Sequence, residues 1–387
     1  MATSIRARGA GGATTWVVLD RDHRTVEQIE EYLEFARSQF SPNTVKSYAY
    51  ALSLWWSYLE AGDYPWEQIG PGEIGLFLAS LRSHVVAGSG ADRRPLKEST
   101  IAVRLKAVSS FYQYHSLAHH VGVVDKLLQA NGWGGRKHYR PFLEHVAWRS
   151  GRPRLRVRAR PQHRPIQILS PTQMAVIANS AGHFDPAAGE WFGSLRNRLF
   201  WKLLEETGLR IGEALSLQHR DWRSGHGEPS YVTVEPRPHP RGIQQKSGYR
   251  QVFIGSELDQ LYAEYLFQLV EVGIDGAVDD IDWAYIFCNL ARPPLFAPLS
   301  PDTIYDQVNA PKRRHPDLPS EWTPHWFRHT HATALLLAGI EPIIVSRRLG
   351  HKDVQTTLNT YGHVTEDVQL KALANWHAYT RPWALNR

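Results

Sequence analysis

Between residues 131 and 168 this chain changes character. Arg136, Lys137, Arg140, Arg149, Arg152, Arg154, Arg156, Arg158, Arg160 and Arg164 stand there against one acid, Glu144. A run so rich in one charge belongs on a solvated connector rather than in a core. The chain has 387 residues, more than one compact core usually holds, so the stretch is expected to join two folded bodies. The expected division is a mobile tail at 1–22, a helical domain at 23–130, an arginine-rich linker at 131–168 and a mixed domain at 169–387.

Within the linker, RPRLRVRARP alternates arginine with Pro, Leu, Val or Ala. In an extended conformation alternate side chains share one side. Arg152, Arg154, Arg156, Arg158 and Arg160, with Arg164 following, could then track a line of phosphates; a solvated connector is the plainer alternative. The formal net charge is only +6, from 44 Lys+Arg against 38 Asp+Glu, so an electropositive surface has to come from such clustering.

A single cysteine, Cys288, rules out an internal disulfide framework and a multi-cysteine metal site. It reads as a small apolar residue in a strand. No run approaches a membrane span, and the first twenty residues lack the apolar stretch of a secretory signal. A soluble, cytoplasmic protein is expected. Residues 1–20, rich in Gly, Ala and Thr with Arg6 and Arg8, show no periodicity and account for the expected tail.

The clearest helix is SPNTVKSYAYALSLWWSYLEAG, with Ser41 as its cap and Pro42 in its first turn. Val45, Tyr48, Leu52, Trp55 and Leu59 form its apolar face, and Gly62 ends it. Ile74, Phe77, Leu78 and Leu81 continue at helical spacing. After the loop HVVAGSGADRRPLK, so do Ile101, Leu105, Val108 and Tyr112. From Ser170 the pattern is mixed: a capped helix at SPTQMAVIANS, helices through LFWKLLEETG and LRIGEALSL, and strands at YVTVEP and RQVFIG.

Two segments carry chemistry. In ETGLRIGEALSLQHRDW, Arg210 sits at the edge of a helix that packs through Ile211, Ala214 and Leu215, and Glu213, three residues on, could orient it. An arginine held this way presents a fork of donors suited to phosphate oxygens. In TPHWFRHTHATALLLAGIEPIIVSRRLGHKDVQTTLNTYGHV, His325 and Arg328 are three apart on one helix face, a second short helix ends near His351, and Tyr361 follows. His325, His329 and His331 also allow a metal cluster, but one helix cannot readily aim His331 with the other two and no acid lies nearby. No metal and no cofactor are expected.

Arg210, the pair His325 and Arg328, Leu349-Gly350-His351 and Tyr361 stand in the order and spacing of the tyrosine recombinase (phage integrase) signature, which this chain closely resembles. The resemblance implies a mainly α fold with a small antiparallel β element: a helical SAM-like core-binding domain and a mixed α/β catalytic domain, forming a clamp around DNA. It also implies a lysine on a hairpin between the arginine motifs. Lys246 in QQKSGYRQVFIG fits that place better than Lys312, which follows Ala310-Pro311.

The implied reaction is cleavage and rejoining of DNA through a 3′-phosphotyrosine on Tyr361, without ATP or metal. Arg210, Arg328 and His351 would donate to the phosphate oxygens. His325 would serve as base for the phenol, and Lys246 would protonate the leaving 5′-oxygen. Double-stranded DNA bearing recombination sites is the implied partner, with assembly as a homo-tetramer on two sites and an accessory or sister recombinase as a further possibility. The terminal stretch with Leu370, Leu373 and Trp376 would pack on a neighbouring subunit or fold back on its own domain. The long linker and extended amino terminus lean toward a mobile-element integrase or transposase. A topoisomerase-like enzyme that reseals one strand, and a non-catalytic DNA-binding relative, are the alternatives.

Overall fold

The computed structural model describes residues 1–8, 14–83, 85–87, 93–123, 166–225, 227–245 and 247–361. The chain divides into two compact units, Met1–His163 and Arg164–Arg387.

The first unit begins with a hairpin, β1 (Thr3–Arg8) against β2 (Thr14–Leu19), antiparallel with Ile5 opposite Val17. Helices α1 (Glu27–Gln39), α2 (Pro42–Gly62), α3 (Pro71–Ser83) and α4 (Glu98–His119) follow. Between α3 and α4 a short pair, β3 (Val85–Ala87) and β4 (Arg93–Pro95), lies in the segment expected to be loop.

The start of α2 matches its sequence signals. Ser41 accepts from the Thr44 backbone N–H, Pro42 occupies the first turn, and Asp63 closes the helix in the left-handed region. Val45, Tyr48, Leu52, Trp55 and Leu59 are buried as the spacing predicts. Trp55 packs edge-on against Phe77 of α3 at 4.8 Å between centroids and against Tyr112 of α4 at 6.1 Å, so one indole joins three helices.

The expected tail at 1–22 is corrected by the hairpin. Val18 is fully buried, the Ala2 N–H donates to Ser57 Oγ at 2.8 Å, and both strands lie against α2. Thr14–Leu19 (TTWVVL) is β-prone, but the Gly- and Ala-rich residues before it dilute the signal, and no helix-face pattern announces a partner.

The second unit opens with α5 (Pro171–Ala181), whose start is a capping box between Ser170 and Gln173. An unanticipated hairpin, β5 (Gly182–Asp185) with β6 (Glu190–Gly193), leads into α6 (Leu195–Thr207). Helix α6 carries much of the core through Phe200, Trp201, Leu203 and Leu204. After α7 (Ile211–Leu215) come three antiparallel strands in the order β7 (Trp222–Arg223), β8 (Tyr231–Val234), β9 (Arg250–Phe253), with Val232 opposite Val252. Then follow α8 (Ser256–Glu271), α9 (Ile274–Ala277), α10 (Pro301–Arg314), α11 (His325–Leu337) and α12 (Pro342–Leu349), and helical backbone resumes at 354–361. Cys288 is buried and free, as an apolar residue would be, although it belongs to an isolated bridge with Pro298 rather than to a strand.

Two helix ends give the second unit fixed backbone carbonyls at defined places. α6 stops at Gly208, φ +64°, and α12 stops at Gly350, φ +66°. Both are left-handed, a conformation that favours glycine. Neither leaves room for a Cβ, which would meet the His331 ring at 2.8 Å in the first case and Arg250 Nη1 at 2.6 Å in the second.

If the amino-terminal hairpin is structural, a chain beginning at Arg24 should melt at a temperature lower by at least about 4 °C in a thermal scan, the shift expected for roughly 1 kcal/mol in a domain of this kind. An unchanged melting temperature would show that the hairpin adds nothing to the helical unit.

Candidate active site

Glu213, buried on α7, receives three charged or polar neighbours. Its Oε1 accepts from Arg210 Nη1 at 2.7 Å and from Ser247 Oγ at 2.5 Å; its Oε2 accepts from Arg250 Nη2 at 2.7 Å and from the Arg210 backbone N–H at 3.0 Å. Burial pushes this carboxyl up. Arg250, Ser247 and Arg210 together outweigh that and hold it at about 2. The expected orienting role of Glu213 toward Arg210 thus has a bond to support it. Ser247 and Arg250 come in addition, and nothing in their spacing singles them out.

Arg328 lies on α11 and is 2% exposed. Nη1 donates to the Gly208 carbonyl at 2.8 Å and Nη2 to the Leu349 carbonyl at 2.7 Å. Both acceptors stand at helix C-termini, where the backbone dipole is negative, so two helix ends take the place of an acid. Burial, followed by the charge of Arg210, brings the guanidinium down to about 9, which leaves it charged at neutral pH.

His351 follows the Gly350 cap. Its Nδ1 lies 2.7 Å from Thr357 Oγ1, and among the described residues no hydrogen bond is made by Nε2. Burial, then Arg328 and Arg210, lower it to about 4, so the ring is neutral. Tyr361 is 2% exposed and sits among Ala332, Leu336, Val345 and Leu349. Burial raises its hydroxyl to about 12 against the opposing pull of Arg328 and Arg210.

His351 and Tyr361 each feel the charge of Arg328 and Arg210, so the structure brings these four sequence-predicted residues into one neighbourhood. His325 lies beside them, exposed, with its ring 4.5 Å from that of His329. The hydrogen-bond partner of the Tyr361 hydroxyl is His329, whose Nδ1 is 3.0 Å away. Spacing along the chain suggests His329 only as a metal ligand, although it stands next to Arg328 and four residues after His325 on the same helix.

The metal alternative finds no support in the side chains. His331 Nδ1 faces the Glu205 carbonyl at 3.0 Å and its Nε2 receives Arg348 Nε at 3.0 Å. Among the described residues, the group of three or more with metal-ligand spacing is Glu31, His115 and His119 in the first unit. Lys246, the linker residues Arg152 to Arg164 and the terminal stretch with Leu370, Leu373 and Trp376 lie outside the described residues. No helix among the described residues is long and apolar enough to cross a membrane.

Among the described residues, Arg210 and Arg250 pair with one carboxylate, Glu213, while Arg328 bonds two backbone carbonyls. The surplus positive charge and the His351 Nε2 suit an anion with several oxygens, such as a phosphodiester.

The depressed Glu213 carboxyl gives a pH-dependent prediction. Its charged form stabilises the fold above the ordinary value of 4.5, and that contribution is lost as pH falls toward 2. At 1.36 kcal/mol per unit the contribution is about 3 kcal/mol. Urea unfolding of Glu213→Gln should show a deficit of that order at pH 7 that shrinks by pH 3; a deficit independent of pH would count against the ion pairs as its source.

Comparison with known proteins places the chain in a family. The phage integrase family pattern matches residues 188–367, and the pattern of the phage integrase N-terminal SAM-like domain matches residues 26–118. Transposase A from transposon Tn554 of Staphylococcus aureus is 28% identical over 365 residues, 91% of each chain. Tyrosine recombinase XerD of Corynebacterium glutamicum is 30% identical over 207 residues, 53% of this chain and 59% of that one. Two solved structures share the fold. The XerH site-specific recombinase in a post-cleavage complex with its difH substrate has a TM-score of 0.56 at 18% identity, covering 91% of this chain and 84% of its own. The Tn1549 transposon integrase bound to transposon right end DNA has a TM-score of 0.57 at 17% identity, covering 90% and 98%. With both of its units matched, this chain belongs to the phage integrase family, the tyrosine recombinases.

Proposed function

We propose that this chain is a site-specific DNA recombinase of the integrase or transposase type, and that Tyr361 forms a 3′-phosphotyrosine bond with the cleaved strand. The observation that carries the reading is the buried Tyr361 hydroxyl in the field of Arg210 and Arg328, two guanidinium groups held by different parts of the fold. Likeness to the Tn554 transposase over 91% of both chains favours a mobile-element role over one-strand relaxation.

In this reading the scissile phosphate takes donors from Arg210, Arg328 and His351, which face the charge that grows on its oxygens as the bond to Tyr361 forms. Glu213 aims Arg210, and the helix ends at Gly208 and Leu349 aim Arg328. Lys246 is assigned to the leaving 5′-oxygen. The second unit would carry this chemistry, and the helical domain at 23–130, with Arg152 to Arg164 between, would grip duplex DNA; a homo-tetramer on two sites would exchange the strands. Energy conserved in the phosphotyrosine would allow rejoining without ATP.

The test uses a duplex selected for this chain from a random-sequence pool and nicked beside the cleavage position so that the released fragment is lost. A covalent protein–DNA adduct should accumulate on a denaturing gel. Tyr361→Phe should retain binding and form no adduct, while Arg328→Ala should slow cleavage by roughly a hundredfold to a thousandfold. A parent chain that binds the duplex without forming an adduct would rule out the enzyme.

A further inference from the structure

Glu31, His115 and His119 are not among the residues assigned to strand cleavage. Glu31 lies on α1, and both histidines lie on α4, four residues and so about one turn apart on one face. Each of the three offers a ligand atom, a ring nitrogen or a carboxylate oxygen, and these atoms all lie within 4.8 Å of one another. Two imidazoles at that spacing on a helix, with a carboxylate from a second element, are a donor set that zinc takes.

The surroundings hold the three side chains in place. His119 Nε2 is 2.7 Å from Glu31 Oε1, and the Tyr114 hydroxyl donates to the same oxygen at 3.0 Å. His115 is 1% exposed. Its ring stacks on that of His119 at 5.4 Å and meets Phe111 and Trp66 edge-on at 4.6 and 5.0 Å, which fixes its plane.

The two nitrogens of His115 are treated unequally. Nε2 lies 3.0 Å from the backbone carbonyl of Gln28, three residues before Glu31 on α1, whereas Nδ1 is buried with no hydrogen-bond partner among the described residues. A buried polar atom left unpaired costs stability, and a hydrogen-bonded cluster alone gives no reason for one. A metal site does. A ligating histidine gives one nitrogen to the ion and the N–H of the other to a carbonyl or carboxylate, and a ligating carboxylate is itself hydrogen-bonded. Gln28 and Tyr114 stand in those two supporting positions.

We propose that Glu31, His115 and His119 bind one divalent transition-metal ion of the zinc class, which braces α1 against α4 in the helical unit. The ion replaces the proton between His119 and Glu31: the Nε2–H bond breaks, the nitrogen and the carboxylate close on the metal, and the proton passes to solvent. Water completes the tetrahedron left by three protein ligands. Two imidazoles with a single carboxylate fit Zn2+ and fit Mg2+ and Ca2+ poorly, since those ions prefer oxygen. The proposal does not rest on the recombinase reading and adds nothing to the cleavage step.

The experiment titrates Zn2+ into the full, untagged chain after chelator treatment, in competition with a chromophoric zinc indicator. Tyr114→Phe, which removes only a partner of Glu31, should weaken the tightest site about tenfold, and His119→Ala and Glu31→Gln, both at exposed positions, should weaken it further. Saturating Zn2+ should raise the melting temperature of the parent by at least about 4 °C and leave that of His119→Ala unmoved. Zinc held instead by the histidines of α11 would survive His119→Ala with parent affinity, and that result would overturn the proposal. So would a parent that takes up no more zinc than His119→Ala, or an equal thermal shift in both. None of these outcomes touches the DNA adduct assay, so the recombinase reading stands or falls separately.

Discussion

The second unit depends on one buried carboxylate. Glu213 binds Arg210 of its own turn and Arg250 of β9, and Arg250 in turn donates through Nε to the Arg348 carbonyl near the end of α12 at 2.9 Å. Three segments distant in sequence are thereby held together, by an ion pair whose partners Glu213 and Arg250 are 1% and 9% exposed and by the hydrogen bond from Arg250 to the backbone of α12. A buried charge without its partners is costly, so neither arginine can leave without destabilising the carboxylate, and the arrangement tolerates little slack.

Arg328 is handled differently. Among the described residues it pairs with no acid and relies on the carbonyl ends of α6 and α12. That solution requires both helices to stop at a defined residue, and left-handed Gly208 and Gly350 make them do so. Close approach of His331 to the first glycine and of Arg250 to the second locks each stop against the other parts of the site. The consequence is a buried guanidinium that, among the described residues, is paired with no carboxylate.

Legibility in the sequence varies with the range of the interaction. The start of α2, its buried stripe and the capping box before α5 follow from residues a few positions apart, and they are readable. The amino-terminal hairpin is not, because Val18 is buried by α2 and Ala2 is tied to Ser57, partners more than twenty residues away. At the site, Arg210, Arg328, His351 and Tyr361 stand out by their spacing and by resemblance to a known signature. Ser247 and Arg250 do not, since a serine and an arginine before a strand look like any solvated hairpin end.

By itself, the sequence determined the helical character of the first unit, the mixed character of the second and the residue types of the candidate site, because periodicity, caps and motif order are local properties. Which histidine meets the tyrosine was decided only in three dimensions. His325 and His329 are equally polar and share a helix face; the packing of Tyr361 between α11 and α12 sets its hydroxyl against His329, and no pattern along the chain encodes that distance.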